Sequence, residues 1–310
     1  MGILNNLFKW SVFSSKSGEE IKIGYVLHGA PKTLDDIEKV LKAFNLDKYL
    51  KVVTPLIRPY INLNLTPVEE TNFNSGQSKV GGLPDLLKDQ EWPKNVTGKP
   101  LSFIAQLNFK EISDFDITGL LPKEGLLSFF FCEEDDVWEF EPIEKRPYKL
   151  IYTNNTNNLI KTELPKELGQ HSIFRPNKIT FESGLCLPTW EDESMEEILQ
   201  DEDRNNYYEA SRGSENQIFG YANLIQGPME MECQLAIHGI YGSEQTVTNE
   251  LQKKELEAGK EDWVLLLQIG SEDDKTGMMW GDVGRIYFWI HKKDLANKNF
   301  DNVWCILQCH

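Results

Sequence analysis

Two glutamines, one aspartate and one acidic run are the residues of this 310-residue chain whose types and placement could do chemistry. Gln106 and Gln268 each stand at the end of an apolar run, residues 101–105 and 264–267. A primary amide offers two donors and an acceptor, so the pair either satisfies buried backbone groups or lines a shared cleft. Asp282, between Gly281 and Val283, is the carboxylate best placed to act with them; its plain alternative is an Asx-type turn between strands. Glu191, Asp192, Glu193, Glu196, Glu197, Asp201, Glu202 and Asp203 crowd into residues 191–203 with no Lys or Arg among them. Such a run reads as a solvated helix face followed by a loop, or as a docking surface for a basic protein.

Other constellations fail on spacing. Asp201-x-Asp203-x-Asn205 opens like a calcium loop, but Asn206 and Arg212 stand where Gly and Glu are required. Gly81-Gly82 lacks a following Lys-Ser/Thr and any G-x-G-x-x-G context, so it reads as a tight turn before Pro84. Cys305, Cys309 and His310 combine ligand types, yet on a strand the two cysteines sit ~13 Å apart, too far for one ion. No G-x-S-x-G, H-E-x-x-H or C-x-x-C occurs. Neither a metal nor a cofactor is expected.

Composition narrows the partners. A net charge of −17 argues against nucleic acid, whose phosphates require clustered Lys and Arg. No apolar run approaches the roughly 18 residues of a membrane helix, and residues 1–10 show no signal-peptide pattern. Five cysteines, an odd number scattered through the chain, form no disulfide framework and fit reduced thiols in a cytoplasm. The sequence names no ligand, oligomeric state or pathway.

The elements that must position these residues are mostly strands. Residues 261–270 and 278–290 are apolar, branched or aromatic runs bounded by Gly and Asp, which predicts two neighbouring buried strands. Strict alternation predicts another at 61–65, and weaker alternation a short one at 21–27. Leu34, Ile37, Val40, Leu41 and Phe44 fall at helical spacing behind Thr33, a candidate cap. Further helices are expected at about 46–56, ended by Pro55 and Pro59, within 191–203, and within 246–258. Residues 153–170 read as a surface excursion.

Four segments recur in order. Ser78-Lys-Val-Gly-Gly-Leu-Pro-Asp-Leu86 faces Asn216-Gln-Ile-Phe-Gly-Tyr-Ala-Asn-Leu224. Gln106 and its strand face Gln268 and its own, residues 125–131 face 284–290, and residues 148–152 face 303–307. Such order predicts an internal duplication of a multi-strand unit.

The Gly-Gly-Leu-Pro turn, Trp92-Pro93, Gln106 after an apolar strand, Leu-Pro-Lys-Glu-Gly125 before an aromatic strand, and the 261–290 stretch together resemble the YwqG-like family, a domain of unknown function (DUF1963). The resemblance covers about residues 57–309. It implies the same broad architecture and supplies no catalytic residue to carry over. The fold expected is mainly β (α+β): a duplicated antiparallel sheet body, roll or barrel-like, with peripheral helices. Residues 1–60 form an N-terminal tail and helical segment, and residues 61–310 a β-rich domain with repeats at about 61–152 and 216–309. The function expected is a cytoplasmic, non-enzymatic protein-binding module. The resemblance suggests an immunity- or antitoxin-like form. The alternative is an enzyme or small-ligand binder using a cleft between the repeats.

Overall fold

A computed structural model of the chain describes residues 29–132, 146–241, 247 and 249–310. The strand expected at 21–27 lies outside them. Among the described residues twelve strands form: β1 (Arg58–Pro67), β2 (Lys79–Val80), β3 (Asp85–Leu87), β4 (Ser102–Asn108), β5 (Leu126–Phe131), β6 (Tyr148–Thr153), β7 (Leu159–Lys161), β8 (Asn177–Cys186), β9 (Gln217–Phe219), β10 (Trp263–Gly270), β11 (Arg285–His291) and β12 (Trp304–Gln308). Ten make one antiparallel sheet in the order β12-β11-β10-β9-β1-β8-β2-β4-β5-β6, while β3 pairs separately with β7, which lies within the expected surface excursion. The two buried strands expected at 261–290 are β10 and β11, paired directly.

β1 and β8 lie at the centre of this order, with β9, β10, β11 and β12 running outward in chain order on one side and β2, β4, β5 and β6 on the other. That centre is crossed. β1, first in the chain, lies against β9, and β8 lies against β2. The registers match as well. The β4–β5 pairing slips between Phe103 and Ala105, and the β10–β11 pairing slips between Leu265 and Leu267, each one turn of the pleat before its glutamine.

The sheet curls until its edges meet, which makes the body nearly barrel-shaped. Tyr148 on β6 donates its hydroxyl to the Val303 carbonyl at 2.9 Å, and Arg146 donates to the carbonyls of Asp301 and Val303. Inside, both halves fill one core: Ile104, Leu107, Phe129 and Phe131 meet Leu266, Ile269, Ile286 and Phe288. The outer faces are covered too. Helix Glu230–Ile237 lays Cys233 and Ala236 on Trp263, Tyr287 and Trp289, and Leu86, Leu101 and Trp92 cover Phe103 and Phe130. Cover on both faces explains why β5 and β11 read as continuous apolar runs without alternation.

A helical lobe packs beside the body. Helix Leu34–Ala43 starts at a Thr33–Asp36 capping box and buries Ile37 and Leu41. The helix expected at 46–56 forms as three short turns, Asp47–Tyr49, Leu50–Val53 and Thr54–Leu56, because Pro55 removes the amide that would continue it. Leu46, Tyr49 and Val53 close a core with Leu187, Met195, Leu199 and Tyr207. The helix expected within 246–258 starts later, at Glu250, because the Asn249 side chain caps the amides of Leu251 and Gln252. Among the described residues no helix is long and apolar enough to cross a membrane.

Candidate functional site

Gln106 and Gln268 do the same job in the two halves. Each amide is fully buried. The Gln106 carbonyl accepts from the Asp85 backbone N–H at 2.9 Å, and its Nε2 donates to the Gln77 carbonyl at 2.7 Å and to Asp85 Oδ2 at 2.6 Å. The Gln268 carbonyl accepts from the Asn223 N–H at 2.9 Å, and its Nε2 donates to the Ser214 and Glu215 carbonyls. Each glutamine is thus a clasp that ties a strand end to the loop on either side of a short strand, β2 or β9. A third bond repeats beside it: Asn108 N–H donates to Ser78 Oγ, and Gly270 N–H to Asn216 Oδ1. These amides have no free donor to offer a ligand.

The turn inside each clasp explains the paired glycines. Gly81 and Gly82 hold φ of 68° and 77°, and Phe219 and Gly220 hold 62° and 70°. A Cβ on Gly81 would stand 2.3 Å from the Arg175 carbonyl oxygen. Phe219 takes a conformation that side chains avoid, and its buried ring in the barrel core offsets the strain.

What the clasps enclose differs between the halves. In the first, Lys79 is fully buried with its ammonium 3.1 Å from Glu70 Oε1 and 3.4 Å from Asp85 Oδ2, over the Phe73 ring. Lys161 reaches the same Glu70 oxygen at 3.2 Å. In the second half Gln217 and Asn223 stand where Lys79 and Asp85 stand in the first, and Gln217 donates to the Phe219 and Tyr221 carbonyls. Two atoms stay unpartnered, Asp85 Oδ1 and Asn223 Nδ2. Sequence reasoning missed Lys79 and Asp85, although the facing segments had already set them opposite a Gln and an Asn.

Asp282 is placed elsewhere. It stands exposed on the turn at 281–283, where its backbone carbonyl accepts from the His310 N–H. The structure therefore does not bring Gln106, Gln268 and Asp282 to one cleft. A cleft of 280 Å³ does open at the start of β4, lined by Lys94, Lys99, Ser102, Cys132, Glu167 and Ser172 among others, and none of the three borders it. Among the described residues no group of three or more His, Cys, Asp or Glu side chains gathers as metal ligands.

The acidic run forms a ridge on the helical lobe, and it is no continuous helix. Asp192 caps the short helix Glu193–Glu196, Met195 and Leu199 turn into the lobe core, and a second turn follows at Asp201–Asp203. Several of its acids are tied down. Asp203 takes the Lys48 ammonium at 2.6 Å and the Tyr49 hydroxyl at 2.5 Å, and those two bonds hold its carboxyl below the usual carboxylate range. Glu193 pairs with Lys260 and Asp201 with Arg204. Burial pushes the half-buried Glu191 upward. Glu196, Glu197 and Glu202 are exposed and meet no cation among the described residues.

A family model described as a domain of unknown function, DUF1963, matches residues 78–309. The chain belongs to the DUF1963 family. The match begins beside the first clasp, at Ser78, and includes Gln106, Asp85, the second clasp and the acidic ridge, while Gln77 of the first clasp, and Lys48 and Tyr49, which fix one end of that ridge, precede it. No curated protein matches this DUF1963 chain at a meaningful level.

Proposed function

We propose that the chain is a cytoplasmic, non-enzymatic protein-binding module that presents the acidic ridge of its helical lobe to a basic protein. The observation that carries this reading is the contrast within the ridge. Asp192, Glu193, Asp201 and Asp203 are held by caps and ion pairs, whereas Glu196, Glu197 and Glu202 meet no cation among the described residues. Unpaired carboxylates on a backbone so anchored steer a cationic partner toward the ridge. The specific form of the reading is an immunity- or antitoxin-like protein that covers a basic toxin domain. The body behind the ridge we read as two copies of one unit, about residues 61–152 and 216–309; the outward strand order on either side of the centre and the matched clasps support it. Five free thiols support the cytoplasmic setting.

The test is affinity capture from the protein's own cells at low and high salt, with the wild-type chain and the E196Q/E197Q/E202Q variant side by side. One basic protein retained by the wild type, released by salt and lost by the variant supports the reading. Equal capture by both chains, or none by either, overturns it.

A further inference from the structure

The first clasp holds an amine and a carboxyl group side by side, away from water. Lys79 and Asp85 have side chains that are fully excluded from solvent, with Nζ 3.4 Å from Oδ2. Neither can swing away. Gln106 grips Asp85 by both its backbone N–H and its Oδ2, and the Gly81-Gly82 turn fixes the chain between the two residues. The 3.4 Å contact is to a carboxylate oxygen and not to the carbon an amine would attack, but it holds the two groups side by side in a dry site, so the entropy of bringing them together has already been lost in folding.

As an ion pair this arrangement is poorly satisfied. Burying two charges is costly in general, and the attraction between them offsets that only when the remaining lone pairs are bonded. Asp85 Oδ1 is buried without a partner. Nor does the clasp require charge, since the second half closes around Gln217 and Asn223. A third group completes the set: Glu70 Oε1 lies 3.1 Å from Lys79 Nζ, its Oε2 is anchored by the Leu83 N–H, and its side chain is 22% exposed, so it joins the dry pair to solvent.

We propose that Lys79 and Asp85 condense after folding into an intramolecular amide, with Glu70 carrying the protons. The ammonium of Lys79 gives a proton to Glu70, and Glu70 passes it to the Asp85 carboxylate. The neutral amine then attacks Asp85 Cγ, and the Nζ–Cγ bond forms. A second Lys79 proton moves through Glu70 to the departing oxygen, the Cγ–O bond breaks, and water leaves. Of the three protons on the ammonium one stays on the amide and two leave in the water, so the step is balanced without any oxidant or co-reactant. The buried plus and minus charges vanish together, and one of the two Asp85 oxygens goes with them.

The experiment is the intact mass of the purified full-length chain, followed by tryptic mapping. The expected mass is one water below that of the sequence. An acylated Lys79 resists trypsin, and Pro59 blocks cleavage after Arg58, so residues 52–88 should remain a single peptide lighter by one water. Glu70→Gln should fold and show the full mass, with Lys79 cleaved. The K79Q/D85N double variant, which copies the residue types of the second half, should also fold with no mass deficit. Full mass and cleavage after Lys79 in the wild type overturn the proposal, as does a deficit that survives in K79Q/D85N. A deficit that survives in Glu70→Gln overturns the assigned proton carrier. The wild-type mass decides by itself even where a variant fails to fold.

Discussion

Phe129 and Phe288 meet with ring centroids 4.9 Å apart and planes 64° to one another. Each occupies the same place in its half. Phe129 is the first residue on β5 to pair beyond the β4 slip, opposite Ala105, and Phe288 is the first on β11 beyond the β10 slip, opposite Leu267. On their other sides they face Leu150 and Cys305. The two halves therefore touch through matching residues, and the core has its centre where they do.

Removing either ring should cost a similar amount. Phe129→Ala and Phe288→Ala each leave a cavity in a core sealed on both faces, for which about 3–5 kcal/mol is the usual loss. Urea unfolding measures it. A large difference between the two variants would show that one half bears more of the core than its match.

The clasps give a second expectation. Gln106→Leu and Gln268→Leu keep the volume roughly constant but leave the Asp85 and Asn223 amides without their acceptor. An orphaned buried donor costs about 1–3 kcal/mol, and several carbonyl partners are lost with it. Thermal unfolding should fall in both variants. Gln106→Leu should fall further, because Asp85 Oδ2 also loses a donor.

Much of this frame was legible in the sequence. Apolar runs set between Gly and Asp marked β10 and β11, and Gln106 and Gln268 could be aligned because each ends such a run. The burial of Lys79 was not legible. A lysine beside Val-Gly-Gly looks like turn chemistry, and its partners Glu70 and Asp85 meet it only once the turn has folded. The crossed centre was hidden for the same reason: whether β1 lies against β2 or β9 is decided by the barrel closing, and no local pattern encodes it. The acidic run was legible in outline only. Its pattern suggested a solvated helix followed by a loop; what it did not show is that Asp192 begins a helix of only four residues and that Lys48 and Tyr49 hold Asp203 in a separate turn.

Gly81 carries a conformational requirement that can be tested directly. Its φ of 68° lies in the left-handed region, and an added Cβ would press on the Arg175 carbonyl at 2.3 Å. Gly81→Ala should therefore lose more than about 1 kcal/mol, the scale on which an incompatible backbone outweighs the entropy that alanine saves in the unfolded chain. Phe219→Gly, at the matching position, should lose stability too, because the relief of its φ is smaller than the value of its buried ring. Denaturant midpoints for the pair separate strain from packing.

The Asp203 contact makes a prediction about pH whose sign can be worked out. Lys48 first, and Tyr49 after it, hold the folded carboxyl below its ordinary range. A carboxyl depressed in the folded state binds fewer protons there than in the unfolded chain, so its contribution is fully present above the unfolded value of about 3.9 and is lost as pH falls through the folded value. Asp203→Asn should thus be less stable than the wild type at neutral pH, and the gap should close in acid below about pH 4. Glu230 should behave in the opposite sense. Burial raises its folded carboxyl, so its ionised form works against folding at neutral pH, and Glu230→Gln should raise the melting temperature there, an advantage that shrinks once acid protonates the native side chain. Melting curves of both variants across the acid range check the two signs together. Parallel shifts at every pH would mean that packing, and not charge, sets the effect of each residue.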